Sequence, residues 1–517
     1  MVPILAISQM RAIDTEAIGG DLDTGYSYML KAGDALLQAA RQMAPSPSGG
    51  DIAIVCGKGN NGGDGYVVAR LLREAGYGVM CFSLCDPTDL KGEARKAFDA
   101  YAQASGNYLV LDDAADCEGF ARYALVVDAV LGTGIKGEPH GLCADVIAAM
   151  NRSDKPILAV DTPSGMDNDT GGVGESCVRA RTTVTMGLPK LGAFQHPGRA
   201  CVGTLVVADL GYPDAIVNRH VQDVFVPTLD DLAALLPPRR PAGSKFDHGV
   251  TLLVSGSRGM AGSAALASEA ALRTGCGMVR CACPRSVADV LAVKVTETVI
   301  VPLEETTSGS LSYQAFDRIV EVAAKAQAVC IGPGLSHAPS TVRLVRSLVA
   351  TLKAPMVLDA DGLNAFKGRA EDLARRKADT VITPHLGEWE RLFGALPVKP
   401  QEIVGALKEK ARELGLTILL KGSPTMVAEP GGMVFVAPYG TSALAKAGTG
   451  DVLSGIIVSL MAQGCSVVDA AILGAYLHGT AGEMASRRLT EYGVLARDVI
   501  GEVPRAIRGL LGSVRQQ

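Results

Sequence analysis

A chain of 517 residues is too long for one ordinary domain; at roughly 100–200 residues per domain it holds about two to four. Hydrophobic residues make up 48% and charged residues 20%, a globular composition that excludes a disordered chain, while 4% aromatic residues beside 60 glycines argue against base stacking on single-stranded nucleic acid. Lys+Arg 49 against Asp+Glu 54 leaves a net charge of −5, so no electrostatic footprint for duplex DNA or an anionic membrane is visible.

The opening run MVPILAISQMRAIDTEAIGG has no basic segment leading into a long apolar core, so no secretion signal is read there. Short apolar runs then alternate with helical stretches. Strands are predicted at Ile52–Cys56, Val79–Leu84, Tyr108–Leu111, Leu125–Asp128 and Ile157–Asp161, with helices over Tyr66–Ala75 and Leu90–Ala104. Strands that are apolar throughout belong to a parallel sheet covered on both faces, which predicts an α/β architecture. The alternation lapses over 221–248, where Pro237, Pro238 and Pro241 bracket Arg239 and Arg240, the composition of a rigid exposed linker.

It restarts with strands predicted at Thr251–Ser255, Met278–Ala282, Ala328–Ile331, Met356–Asp359, Thr380–Ile382 and Thr417–Leu420, and helices at Ser263–Thr274 and Thr341–Leu352. Val452–Val468 is the longest uncharged apolar stretch, but Gly455, Ser459, Gln463, Gly464 and Ser466 interrupt it, so two packed helices are expected and not a membrane span. The 12 cysteines show no CxxC pair, and Cys281 and Cys283 sit in a strand-like run, which reads as buried reduced thiols in a cytoplasmic protein. Two α/β domains are expected, 1–222 and 223–517.

Glycine-rich strand ends carry the chemistry. Cys56-Gly57-Lys58-Gly59-Asn60-Asn61-Gly62-Gly63-Asp64-Gly65 follows a strand and precedes a helix, where backbone N–H groups meet a phosphate. Asn60 and Asn61 add amides that a plain turn does not need. Asp86 stands where an ordinary NAD site has its second-strand acid, but its Cys-Asp-Pro setting speaks against that role. Asp128–Gly137 and Asp161–Asp167 punctuate two further strands, and ligands of parallel sheets bind beyond carboxyl ends, so the three loops should converge.

In the second half Ala447-Gly448-Thr449-Gly450-Asp451 opens a helix. Its N–H groups suit the charge that develops on a transferred phosphoryl group, with Asp451 in the first turn to take a proton from an attacking hydroxyl. Lys421-Gly422-Ser423-Pro424-Thr425 follows a strand and offers an ammonium, amides and a hydroxyl to a nucleotide. Gly332-Pro333-Gly334, Thr383-Pro384-His385-Leu386-Gly387-Glu388 and the glycine-rich entry Ser255–Gly262 complete an acceptor pocket. No Walker A sequence is present, which argues against a P-loop mechanism.

Gly59–Gly65 and the Asp161-x-Pro163-Ser164-Gly165 motif resemble the YjeF N-terminal epimerase of hydrated NAD(P)H over about 1–215, a Rossmann-like α/β/α sandwich. That resemblance implies that Asn60, Asn61, Gly62, Gly63 and Asp64, with Gly132, Thr133, Gly134, Ile135, Lys136, Gly137 and Glu138, cradle the nucleotide. It implies that Asn61, Asp128 and Ser164 offer oxygens to a potassium ion, and that Asp161 contacts the damaged ring. Asp161 and Lys136 then form an acid–base couple for inversion at C6.

Gly448–Asp451, Asp359–Asn364, Thr383–Glu388 and Lys421–Thr425 resemble the ribokinase-like ADP- or ATP-dependent NAD(P)H-hydrate dehydratases over about 240–505. Carried over, Lys421, Gly422, Ser423, Pro424, Thr425 and Gly450 bind the adenine nucleotide with Mg²⁺. Ser263, Gly334, His385 and Asp451 contact the hydrate; Ser263 stands where the family often has alanine. The implied protein repairs both epimers of NADHX and NADPHX without changing redox state, prefers ADP, and is a homo-oligomer that engages neither nucleic acid nor membrane. Two rivals remain: a vitamin-precursor kinase, which leaves the front half unexplained, and a front half that only binds.

Overall fold

The computed structural model describes residues 1–113, 119–134, 137–221, 223–239 and 241–514. The chain divides into two compact units, Val2–Val224 with Lys399–Gln401, and Phe225–Val398 with Glu402–Gln517 and Met1.

In the first unit a parallel sheet runs in the order Asn107–Val110, Val79–Ser83, Ile52–Cys56, Leu125–Ala129, Ile157–Val160, Thr182–Met186, Thr204–Ala208. Ile52–Cys56 and Leu125–Ala129 are buried at every position, as apolar strands between helical layers must be. The chain leaves Ile52–Cys56 towards one edge and returns on its other side at Leu125–Ala129, with Cys56 level with Ala129. This reversal is a topological switch point, and it opens a crevice at the carboxyl ends.

The predicted strands are present within a residue or so of the expected limits. The first predicted helix begins six residues earlier, at Asn60, so Asn60–Asp64 form its opening turn and not a preceding loop. The helices Ile7–Ile18 and Leu22–Met43 have no counterpart in the sequence reading. The second lies close on Asn60–Glu74 because Gly33 presents no side chain; a Cβ there would stand 2.3 Å from Val67 Cγ1. Met29, Leu36, Ile54, Tyr66 and Leu72 fill that face of the sheet, and Phe82, Phe120, Ile147 and Met150 fill the other.

The expected linker over 221–248 is only partly one. It contains the strand Val224–Val226 and the helix Leu229–Ala234. Thr228 caps that helix: its Oγ1 accepts from the Asp231 N–H at 3.2 Å, and its own N–H donates to the Asp231 carboxylate at 2.9 Å. This capping box starts a helix despite the prolines that follow.

The second unit restarts the α/β pattern. Its sheet runs Val434–Ala437, Thr425–Ala428, Thr417–Leu420, Thr380–Ile382, Met356–Leu358, Ala328–Ile331, Val250–Val254, Met278–Pro284, Val299–Leu303. The first three pair antiparallel and the rest parallel. Val254, Ile331, Leu358 and Ile382 stand level across the sheet, so the loops after those strands emerge side by side. The apolar stretch from Val452 divides as expected into Thr449–Ala462 and Val467–Gly493. Gly455 brings the first of these onto Ala261–Thr274; a Cβ there would stand 2.4 Å from the Ala267 carbonyl oxygen. The described cysteines are free and mostly buried. No helix among the described residues is long and apolar enough to cross a membrane.

Two candidate active sites

The switch-point crevice of the first unit holds a cavity of about 540 Å³. The turn Lys58–Asn61 with Asp64, the loop Val130–Gly134, and Asp161 line it, so the three predicted loops converge. Gly57 makes this possible: a Cβ there would sit 1.9 Å from the Val130 carbonyl oxygen. Of the expected cradle, Asn60, Asn61, Asp64, Gly132, Thr133 and Gly134 face the cavity. Gly62 and Gly63 turn the other way, against Gly57 and against Met29 and Ala94. Glu138 instead packs against Gly174, and Gly137 takes a left-handed turn at φ 94°. Ile135 and Lys136 lie outside the described residues. Asp86 serves a local turn, accepting from the Thr88 N–H at 2.8 Å.

Asp161 has a left-handed backbone, φ 62°, a conformation unfavourable for a non-glycine residue and characteristic of functional sites. Among the described residues, the cation that meets it is Lys190. Lys190 Nζ donates to Asp161 Oδ1 at 2.7 Å, to Thr185 Oγ1 at 3.0 Å and to the Met186 carbonyl at 3.0 Å, and its side chain is 2% exposed. The Met186 N–H donates to the same carboxylate oxygen at 3.0 Å. A buried ammonium with all three protons directed fixes the carboxylate rigidly. The sequence reading missed Lys190; its only signal is a lone lysine in the apolar run Gly187-Leu188-Pro189-Lys190-Leu191.

Beneath the cavity floor Asp128 is wholly buried. The Ser164 hydroxyl donates to Oδ1 at 2.6 Å, the Ser164 N–H to Oδ2 at 2.8 Å and the Val130 N–H to Oδ1 at 3.2 Å. Burial raises its pKa to about 6, against these hydrogen bonds. Among the described residues no basic side chain pairs with it. Asn61, packed 3.2 Å from the Cβ position of Gly132, is also buried, with its Nδ2 unpartnered. An uncompensated carboxylate among neutral oxygen donors fits a hard monovalent cation.

In the second unit the predicted residues gather around the N-terminus of Thr449–Ala462. Gly448 caps the helix with φ 92° and Asp451 lies in its first turn. Burial, then the nearby Asp359, raises the Asp451 pKa to about 6, opposed by a hydrogen bond with Ser263 and by Lys421. Gly334 meets the same group: its Cβ position is 3.0 Å from Ser263 Cβ. Lys421 Nζ pairs with Asp359 Oδ1 at 2.8 Å and Glu388 Oε2 at 3.4 Å, and Ser454 Oγ donates to Asp359 Oδ2 at 2.7 Å. The ammonium expected to grip a nucleotide is therefore already engaged by two carboxylates. Gly450 leaves space in front of it, its Cβ position standing 3.6 Å from Lys421 Nζ. Of the remaining nucleotide loop, the Thr425 hydroxyl closes back on the Gly422 carbonyl at 3.2 Å. His385 caps the helix Leu386–Phe393, its Nδ1 accepting from Gly387 N–H at 3.0 Å and Glu388 N–H at 3.3 Å, while the ring stays half exposed.

Two family models divide the chain along the same lines. Residues 25–192 match the YjeF-related protein N-terminus, and residues 251–505 match NAD(P)H-hydrate dehydratase. Relatives carry both halves. The chain is 42% identical over 464 residues to the bifunctional NAD(P)H-hydrate repair enzyme Nnr of Moorella thermoacetica, covering 89% of this chain and 88% of the relative. It is 36% identical to the enzyme of the same description from Thermofilum pendens (98% and 96% covered) and 36% to that from Salinibacter ruber (100% and 98%).

Proposed function

The chain belongs to the family of bifunctional NAD(P)H-hydrate repair enzymes, and from that premise we propose how its two sites divide the work. The front unit is the NAD(P)HX epimerase and the second the ADP/ATP-dependent dehydratase; together they return both epimers to usable coenzyme. The observation that carries the residue assignments is the gathering of Ser263, Gly334, Gly450, Lys421 and Asp451 at one helix N-terminus.

Hydroxide is a poor leaving group from C6 of the hydrated ring. Asp451 takes the proton of that hydroxyl, and the hydroxyl oxygen attacks the terminal phosphorus of the nucleotide; the bond from that phosphorus to the bridging oxygen breaks, and AMP (from ADP) or ADP (from ATP) departs. The free N–H groups of the helix start hold the charge that develops on the transferring group. The ring nitrogen lone pair then expels phosphate from C6, and loss of a C5 proton to solvent restores the dihydropyridine. Gly422–Thr425 and the space at Gly450 seat the nucleotide, Lys421 presents its charge beside it, and Gly334, Ser263 and the exposed ring of His385 contact the hydrate. Among the described residues no three His, Cys, Asp or Glu side chains are grouped to cage an ion. Mg²⁺ would therefore be held through the nucleotide phosphates, screening their charge.

In the front unit Asn60, Asn61, Asp64 and Gly132–Gly134 cradle the nucleotide portion and Asp161, held by Lys190, faces the ring. Asn61, Asp128 and Ser164 would hold potassium, which supplies the positive charge that the buried Asp128 lacks. The enzyme prefers ADP, works in the cytoplasm, where its thiols stay reduced, and forms a homo-oligomer.

The test is a mixture of R- and S-NADHX given ADP or ATP, followed by return of the reduced-nicotinamide absorbance. Complete recovery requires both activities. Recovery that halts when the S epimer is consumed removes the epimerase assignment, and no recovery with either nucleotide removes the dehydratase.

A further inference from the structure

The cavity of the front unit has a second acidic wall that no sequence motif points to. Asp14, on the helix Ile7–Ile18, and Tyr212, beyond the last strand of the sheet, both line it, and both lie outside the 25–192 segment that matches the family model. The Tyr212 hydroxyl donates to Asp14 Oδ1 at 2.5 Å. The Tyr212 ring is fixed by Tyr28, 4.9 Å between ring centroids. Lys31, over the Tyr28 ring, donates to the Leu210 carbonyl and is not bonded to Asp14. Among the described residues, the charged groups that face Asp14 are Lys190 and Asp161, with Asp64 on the helix Asn60–Glu74. Burial outweighs the Tyr212 hydrogen bond and raises the Asp14 pKa. Asn61, whose buried Nδ2 is unpartnered, lines the same cavity. Asp161 and Asp14 thus reach one chamber from different elements, one tied to an ammonium and the other to a phenol.

We propose that Asp14, positioned by Tyr212, is the second acid–base residue of the epimerase, working opposite Asp161; this rests on the epimerase reading given above. Inversion at C6 needs a proton delivered and a proton removed. Asp14 as the carboxylic acid gives its proton to the C6 hydroxyl. The C–O bond breaks with its electron pair on oxygen, water departs, and the N1 lone pair forms an N1=C6 double bond. Asp161 then takes a proton from a water that adds to C6 on the other face, and the π electrons return to N1. One water leaves, one enters, and solvent resets the two carboxyl groups. In the reverse direction the roles exchange.

The experiment uses the full-length chain without ADP or ATP and follows R/S interconversion chromatographically across pH, with NADPH as the binding probe. Asp14→Asn is expected to lower kcat for interconversion by about 100-fold or more. NADPH affinity stays within about threefold, and dehydration of the S epimer by the same chain, measured separately with ADP or ATP added, is unchanged. Tyr212→Phe removes a donor to the charged form of Asp14, so its pH limb is expected to move to higher pH, which loss of packing alone would not do. Wild-type kcat within about threefold in Asp14→Asn, or an unmoved limb in Tyr212→Phe, overturns the proposal while leaving the epimerase reading intact. Absence of interconversion in the wild-type chain overturns that reading instead.

Discussion

Asp451→Asn tests the dehydratase chemistry through two measurements of opposite sign. The Asp451 carboxyl titrates at about 6 against an ordinary 3.8, chiefly through burial. As a general base it must be ionised, which holds for about one molecule in ten at pH 5 and about nine in ten at pH 7. Dehydratase kcat/KM should therefore fall about tenfold per pH unit below 6, and Asp451→Asn should lose about 10²–10⁴ of kcat. The same shift sets the stability. A raised folded-state pKa means the native protein holds the proton more tightly than the unfolded chain does. That contribution is complete below pH 3.8 and is lost as pH rises to about 6, a change of ~3 kcal/mol at most. The asparagine variant escapes the loss. It should melt several degrees above wild type at pH 7.5 and together with it at low pH, without nucleotide present. Scanning calorimetry of the full chain and a pH series of the absorbance assay make both measurements. A variant that keeps activity within tenfold, or that melts below wild type at pH 7.5, refutes the reasoning.

Lys190→Met should abolish epimerisation and cost about 3–5 kcal/mol, because Asp161 is left as a buried charge without its partner; urea melts monitored on the front unit read the loss. Gly450→Ala should fold as well as wild type, since its Cβ meets nothing closer than 3.6 Å and alanine favours helix by up to about 1 kcal/mol. The added methyl stands in front of Lys421, so the KM for ADP or ATP should rise at least tenfold, and unchanged nucleotide kinetics would remove the site from that position. Potassium chloride should stabilise the front unit relative to choline chloride by about 2.7 kcal/mol at a hundred times Kd, read as a rise in its melting temperature. Asp128→Asn should abolish that response, and an equal response in the variant would place any ion elsewhere.

The alternation of apolar strands and helices, the glycine-rich strand ends and the helix that opens at Gly448 are local patterns. Ile52–Cys56, Ala328–Ile331, Thr380–Ile382 and Thr417–Leu420 are strands at the limits expected. The helix Leu229–Ala234 was hidden by the prolines that follow it, and Ile7–Ile18 by a weak apolar periodicity. The edge hairpin Thr425–Ala428 and Val434–Ala437 turned an expected parallel pattern antiparallel at one side.

What the sequence determined by itself was therefore which segments are strands, where the glycine-rich turns fall, and that Asp161 and Asp451 stand at strand and helix ends. Only the tertiary structure decided their partners. Lys190 reaches Asp161 across 29 positions, Lys421 reaches Asp359 across 62, and Tyr212 reaches Asp14 across 198. Periodicity and turn chemistry act over a few residues and are written in the chain. Which side chains share a crevice depends on strand order and register, set by how the whole sheet buries its two faces.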